Sequence, residues 1–211
     1  MLGQPTPNDA DPTRRIRRTL VAARRGSFWD AQGPRRVIQV CRDDATPHRI
    51  FTWLPTEVLP DSHLIVFAYQ DDYHFGVLHS RFHGIWSRST AGAQRREAVS
   101  GLTYTPTTCF ETFPLPHPTD AQRDAIAEVA RDLDRLRNGW LNPPGLSDAD
   151  LAKRTLTNLY NAMPTWLAQA HQRLDAAALA AYGWPSDITS QEMLGRLLEL
   201  NLTRAGDAPK R

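Results

Sequence analysis

The chain has 211 residues, 41% hydrophobic and 23% charged, a make-up that fits an ordinary globular protein of one medium domain or two small ones. No apolar run nears the roughly 18 residues of a membrane span, and the opening MLGQPTPNDADPTRR has no apolar leader core, so a cytoplasmic setting without membrane contact is expected. Net charge is only +2, which permits a nucleic-acid partner without demanding one.

Residues 1–35 are rich in Pro, Asp, Gly and Arg and are expected to form a basic, poorly ordered N-terminal segment, with a short helix at most between Thr13 and Arg25. From Arg36 the texture changes. RRVIQVCR carries the β-branched Val37, Ile38 and Val40, and HRIFTWLP (48–55) sets Ile50, Thr52 and Leu54 against Phe51 and Trp53; both read as strands. DSHLIVFAY (61–69) holds a continuous apolar run, as a strand covered on both faces would. In residues 71–90 the period becomes helical, with Phe75, Leu78, Phe82, Ile85 and Trp86 at three- and four-residue steps. Residues 91–109 lose periodicity and predict a loop; the spaced prolines of FETFPLPHP predict extended chain.

The last third predicts helices. TDAQ at 119–122 fits a capping box, and Ile126, Val129, Leu133, Leu136 and Trp140 line one face up to the stop Asn142-Pro143-Pro144-Gly145. Ser147 can cap a second helix carrying Leu151, Leu156, Leu159, Tyr160 and Met163. Pro164 can open a third, with Gly183 and Pro185 ending it. A final helix carries Met193, Leu194, Leu197, Leu198 and Leu202. The expected class is α+β: a small β-sheet with a packed helix (36–118), then an α-helical bundle (119–211), with the boundary near Pro114–Pro118.

Arginine dominates the cations, since Lys153 and Lys210 are the only lysines. Guanidinium groups grip phosphates and guanine edges in a bidentate fork, although a GC-rich coding sequence produces the same bias. Cys41 and Cys109 lack metal or disulfide spacing and are expected to be buried free thiols. His79 and His83 stand four apart, a spacing able to hold zinc, but HSRFH lacks a glutamate and a third ligand, so no metal is expected.

Three segments, LPDSHLIVFAYQDDYHFGVLHSRFHGIWSR, LTYTPTTCFETFPLP and LDAAALAAYGWP, resemble in order and spacing the C-terminal region of MmeI-like type IIG/IIL restriction–modification adenine methyltransferases. The phage-exclusion methyltransferases are more distant. The resemblance runs from about Arg36 to about Arg204 and implies part of a DNA target recognition domain followed by the helical bundle. In that family another part of the chain binds S-adenosylmethionine and methylates the adenine amino group, so no cofactor is expected in this chain. The family's catalytic Asn-Pro-Pro-aromatic turn finds only Asn142-Pro143-Pro144-Gly145, with no ring to stack on a flipped base, and the helix-stop reading is preferred.

The implied partner is double-stranded DNA. Candidate contacts lie on the helix of residues 74–88 and the loop after it: His79, Arg81, His83, Arg88, Arg95 and Arg96, then Thr103, Tyr104, Thr105 and Thr107, whose hydroxyls suit phosphates. A solvated arginine rim is the plainer explanation for the same residues. Two alternatives stay open. One is an interaction subunit docking on a separate methyltransferase or nuclease chain; the other is a remnant of a longer gene. Part of a recognition domain is also expected to leave apolar surface uncovered around Trp53, Phe67 and Trp86, with poor solubility as the consequence.

Overall fold

The middle strand of the sheet is β1 (Arg35–Val40), flanked by β2 (Ile50–Pro55) and β3 (Ile65–Phe67) in the order β2-β1-β3. Both pairings are antiparallel, with Val37 opposite Trp53 and Phe67, and Gln39 opposite Phe51 and Ile65. The computed structural model describes residues 35–40, 48–55, 58, 64–67, 69–93 and 102–207, with backbone alone at 35–40, 92–93, 102–103 and 207. The expectations for residues 1–34 and for Cys41 therefore fall outside the described residues. The apolar run of β3 is explained by burial on two faces: Phe67 enters the main core, and Val66 packs with Leu54, Val58 and Leu64.

The periodic stretch after β3 forms two helices where the sequence predicts one. These are α1 (Asp72–His79) and α2 (Arg81–Thr90), interrupted at Ser80, which has extended φ and ψ of −67° and 155°. The Ser80 hydroxyl donates to the Val77 carbonyl at 2.7 Å, a local bond that competes with continuation of the helix. The Arg81 N–H at the start of α2 instead donates to Asp175, far along the chain, at 2.7 Å. The expected loop also gains structure. Gly92–Ala93 (β4) pairs with Leu102–Thr103 (β5), and Pro106–Phe110 forms a π-helical turn.

The helical region follows its local signals closely. In α3 (Asp120–Leu141) Thr119 and Gln122 form the reciprocal capping box, and the helix ends at Asn142, before Gly145 with φ +82°. The helix-stop reading of Asn142-Pro143-Pro144-Gly145 holds. Ser147 caps α4 (Asp148–Leu151), which breaks off before α5 (Leu156–Ala162), capped by Thr155. The expected second helix is thus two short ones, because Thr155 offers its own N-cap. Pro164 is the residue before α6 (Thr165–Tyr182), and Gly183 closes that helix at φ +67°. The final helix is α7 (Ser190–Asp207). Its start carries a second capping box, in which the Glu192 carboxylate accepts from the Thr189 N–H and the Glu192 N–H donates to the Thr189 hydroxyl.

A single apolar cluster runs from Ile50 and Phe51 on β2 through α1 and α2 to Leu174 and Leu197 in the bundle. At Gly76 α1 lies close on α3, so that a Cβ there would lie 2.8 Å from Ile126 and 3.0 Å from Ala130. Glycine lets α1 press directly on α3. The expectation of uncovered apolar surface is overturned: Phe67 and Trp86 are buried, and Trp53 stacks on Phe75 at 4.7 Å. The sheet and bundle cover these rings. The exposed large hydrophobics among the described residues are Leu146, Met163, Leu198 and Leu202.

Candidate nucleic-acid interface

The α1–α2 layer separates the candidate residues by burial. His79, His83 and Tyr104 are enclosed, so in this conformation they cannot meet a base edge or phosphate. His79 Nδ1 donates to the Phe75 carbonyl at 3.1 Å, which leaves Nε2 to accept from the Phe51 N–H at 3.2 Å and from Arg137 Nη1 at 2.8 Å. That bonding fixes one neutral tautomer. Burial, aided by the Arg137 charge, pushes the His79 pKa well below its ordinary value. His83 is held similarly: Nδ1 donates to the Leu78 carbonyl at 3.1 Å, and Nε2 accepts from the Tyr104 hydroxyl at 2.9 Å. Burial lowers its pKa to about 4. Both histidines are struts between the sheet and the helices, and the expectation of DNA contact at His79, His83 and Tyr104 gives way to a structural role.

The exposed candidates are Arg81, Arg88 and Thr107, with Thr105 half-buried. Arg81 Nη2 donates to the Ser190 hydroxyl at 3.2 Å, so its side chain leans toward α7. Thr107 lies in the π-helical turn, which packs on α2 through the buried Cys109; its thiol donates to the Ser87 carbonyl at 3.5 Å. Beside it Trp86 Nε1 donates to the Thr112 hydroxyl at 3.2 Å. Arg95 and Arg96 lie outside the described residues, as does the side chain of Thr103.

A polar cleft of about 240 Å³ opens where the residues before β2, the start of α2, and helices α5 and α6 meet. His48, Arg49, Arg81, Arg88, His171 and Asp175 line it. Four of these were not among the sequence candidates, and no local motif marks them. Beneath it, Arg137 is fully buried, donating through Nη1 to His79 and to the Tyr160 hydroxyl at 3.2 Å and through Nη2 to Asp134 at 3.2 Å. Its periodic spacing on α3 gave no hint of this role, since arginine on the inner face of a helix looks like a break in the stripe.

Asn142, in the helix-stop turn, donates back to the Asn138 carbonyl at 3.4 Å.

No protein-family model matches the chain. Among solved structures it matches the type IIL restriction–modification enzyme MmeI in complex with DNA, with a TM-score of 0.67 over 84% of this chain and 23% identity. The chain has an MmeI-like fold. Among curated proteins, DNA methyltransferase A of Bacillus subtilis (strain 168) is 30% identical over 142 residues, 66% of this chain. The chain spans 14% of the length of that methyltransferase and 22% of the MmeI chain. The MmeI-like assignment and the α+β class thus agree with the reading of the three sequence segments. Among the described residues no helix is long and apolar enough to cross a membrane.

Proposed function

We propose that this chain is a DNA-recognition and helical segment of a restriction–modification adenine methyltransferase system, gripping duplex DNA while methyl transfer is carried out elsewhere. The observation that carries this reading is the extent of the fold match, 84% of the chain, to an enzyme captured on DNA. The sequence relationship to a DNA methyltransferase supports it independently. The exposed Arg81 and Arg88 of α2 and the exposed Thr107 and Thr108 of the adjoining turn supply the contacts, with the half-buried Thr105 beside them, and Arg95, Arg96 and Thr103 are further contacts taken from the sequence alone. Arginine forks and hydroxyls hold a duplex in register through its phosphates.

The test is fluorescence anisotropy of the full chain with a labelled duplex across salt concentrations. Binding that weakens steeply with salt is expected, with a slope of about 0.9 per neutralised phosphate, together with no methylation when S-adenosylmethionine is added. Absence of duplex binding at low salt, or methyl transfer by the chain alone, refutes this reading. A second reading, docking of the bundle on a separate methyltransferase or nuclease chain, is favoured by Leu198 and Leu202, one turn apart on α7 and 49% and 62% exposed. Leu198→Asp with Leu202→Asp should then abolish co-purification with a co-expressed partner while duplex binding persists; co-purification that survives both changes removes this reading.

A further inference from the structure

The described lining of the polar cleft brings Arg49, Arg81, Arg88 and His171 together around Asp175. Arg88 has no hydrogen-bond or ion-pair partner among the described residues, and its guanidinium lies back over Gly84, where a Cβ would sit 3.4 Å from Nη2. A helical side chain leans toward the N-terminus of its own helix, and the missing side chain at Gly84 gives it room. Arg49 forms another wall; its guanidinium passes over the Tyr104 ring at 5.6 Å. The two charges repel: Arg49 has its pKa lowered chiefly by burial, with Arg88 adding to the effect.

A third donor is prepared by the network below. The Tyr160 hydroxyl accepts from Arg137 Nη1, so its own proton points to His171 Nε2 at 2.9 Å. Neutral His171 therefore carries its proton on Nδ1, and nothing among the described residues accepts from that atom. The acid in the cleft, Asp175, is already engaged with the Arg81 N–H. Among the described lining residues, three arginines and His171 Nδ1–H face one carboxylate, in a space large enough for a tetrahedral oxyanion with some of its water.

The geometry points to a phosphoryl-binding site in this cleft, formed by Arg88, Arg49 and His171 Nδ1–H, that takes one backbone phosphate of the bound duplex. This deepens the DNA-binding reading and rests on it for the source of the phosphate. Such a contact fixes position and carries no sequence information.

The test combines duplex binding by wild type, Arg88→Gln and Arg88→Lys with NMR of the histidine rings during titration with inorganic phosphate. His171 is assigned by the signals lost in His171→Phe. Arg88 is exposed and makes no hydrogen bond or ion pair among the described residues, so both of its variants should melt with the wild type. Arg88→Gln should weaken binding roughly tenfold at low salt for every sequence tried and lower the salt slope by about 1. Arg88→Lys should restore the slope but only part of the affinity, because it keeps the charge and loses the fork. Inorganic phosphate should shift the His171 signals in wild type and not in Arg88→Gln. If wild type binds duplex and Arg88→Gln matches it in affinity and slope, the cleft assignment is overturned and DNA binding stands. If wild type binds no duplex but phosphate still moves His171, the DNA reading falls and the cleft is a site for a free phosphoryl group. If neither occurs, the site is refuted outright.

Discussion

The buried polar groups of the α1–α2 layer and the exposed faces of α3 and α4 find their partners in opposite ways. On the exposed faces of α3 and α4 the pairs close within one turn: Arg135 with Asp132, Lys153 with Asp150, Thr119 with Gln122. The buried groups of α1 and α2 have partners far along the chain: His79 with Arg137, His83 with Tyr104, the Arg81 N–H with Asp175, Tyr73 with the Pro116 carbonyl at 3.3 Å. Local pairs on a solvated face are worth tenths of a kcal/mol, whereas a buried bond costs far more to break than it adds on forming. The exposed faces of α3 and α4 are therefore specified close to home, and the buried polar groups of the α1–α2 layer by the whole fold.

That contrast is broken most directly at Arg137. Replacing it by Ala leaves His79, Tyr160 and Asp134 short of a donor, and should cost about 3–5 kcal/mol in urea denaturation. Arg137→Met fills the space without the charge and should cost clearly less. Equal and small losses in both would mean that the network is incidental. Gly76→Ala comes next, at about 1–3 kcal/mol, because the new methyl meets Ile126 and Ala130 and the overlap outweighs the better helix propensity.

Acid should separate the two regions through the histidines. His79, His83 and His171 all have lowered pKa values from burial, the latter two to about 4, against 6.5 in the unfolded chain. Protonation favours the unfolded state, so their stability is complete above pH 6.5 and is lost as the pH falls toward 4. Asp175 acts with the other sign. Burial raises its carboxyl to about 6 from 3.8, so its contribution is complete below 3.8 and is lost as the pH rises through 6. Asp175→Asn should therefore steepen the acid-side fall in melting temperature between pH 6 and 4. An unchanged profile would show that Asp175 does not titrate there.

The smallest effects belong to the local bonds. Thr119→Ala removes half of a capping box and should cost about 1 kcal/mol. Arg135→Ala should change stability by less than about 0.5 kcal/mol. A large loss at Arg135 would mean that its exposed pair with Asp132 is doing more than its geometry allows.

The same contrast explains what could be read in the sequence. The strand at Ile65–Phe67, the box at Thr119, the stops at Asn142 and Gly183 and the α+β order were legible because each depends on neighbours in the chain. The box at Thr189–Glu192 was equally local and could have been found by the same pattern. The break at Ser80 was hidden because the apolar period continues across it. His79 and His83 looked like surface groups, since the arginine, tyrosine and backbone partners that bury them are brought in by the tertiary fold. Of the candidate interface, the exposed Arg81, Arg88 and Thr107 were legible, while Arg49, His171 and Asp175 came together only through packing of α6 on α2.

The extended segment before α3 is tied down from a distance: Asn201 Nδ2 donates to the Thr112 carbonyl and Arg204 Nη1 to the Leu115 carbonyl, both at 2.7 Å and both 89 residues away. During synthesis those carbonyls must wait, hydrated, until α7 has left the ribosome. The π-helical turn and the edge of α2 beside it consequently settle late, after the helices between have paired, so ribosome-bound nascent chains truncated before Asn201 should leave this edge open to protease.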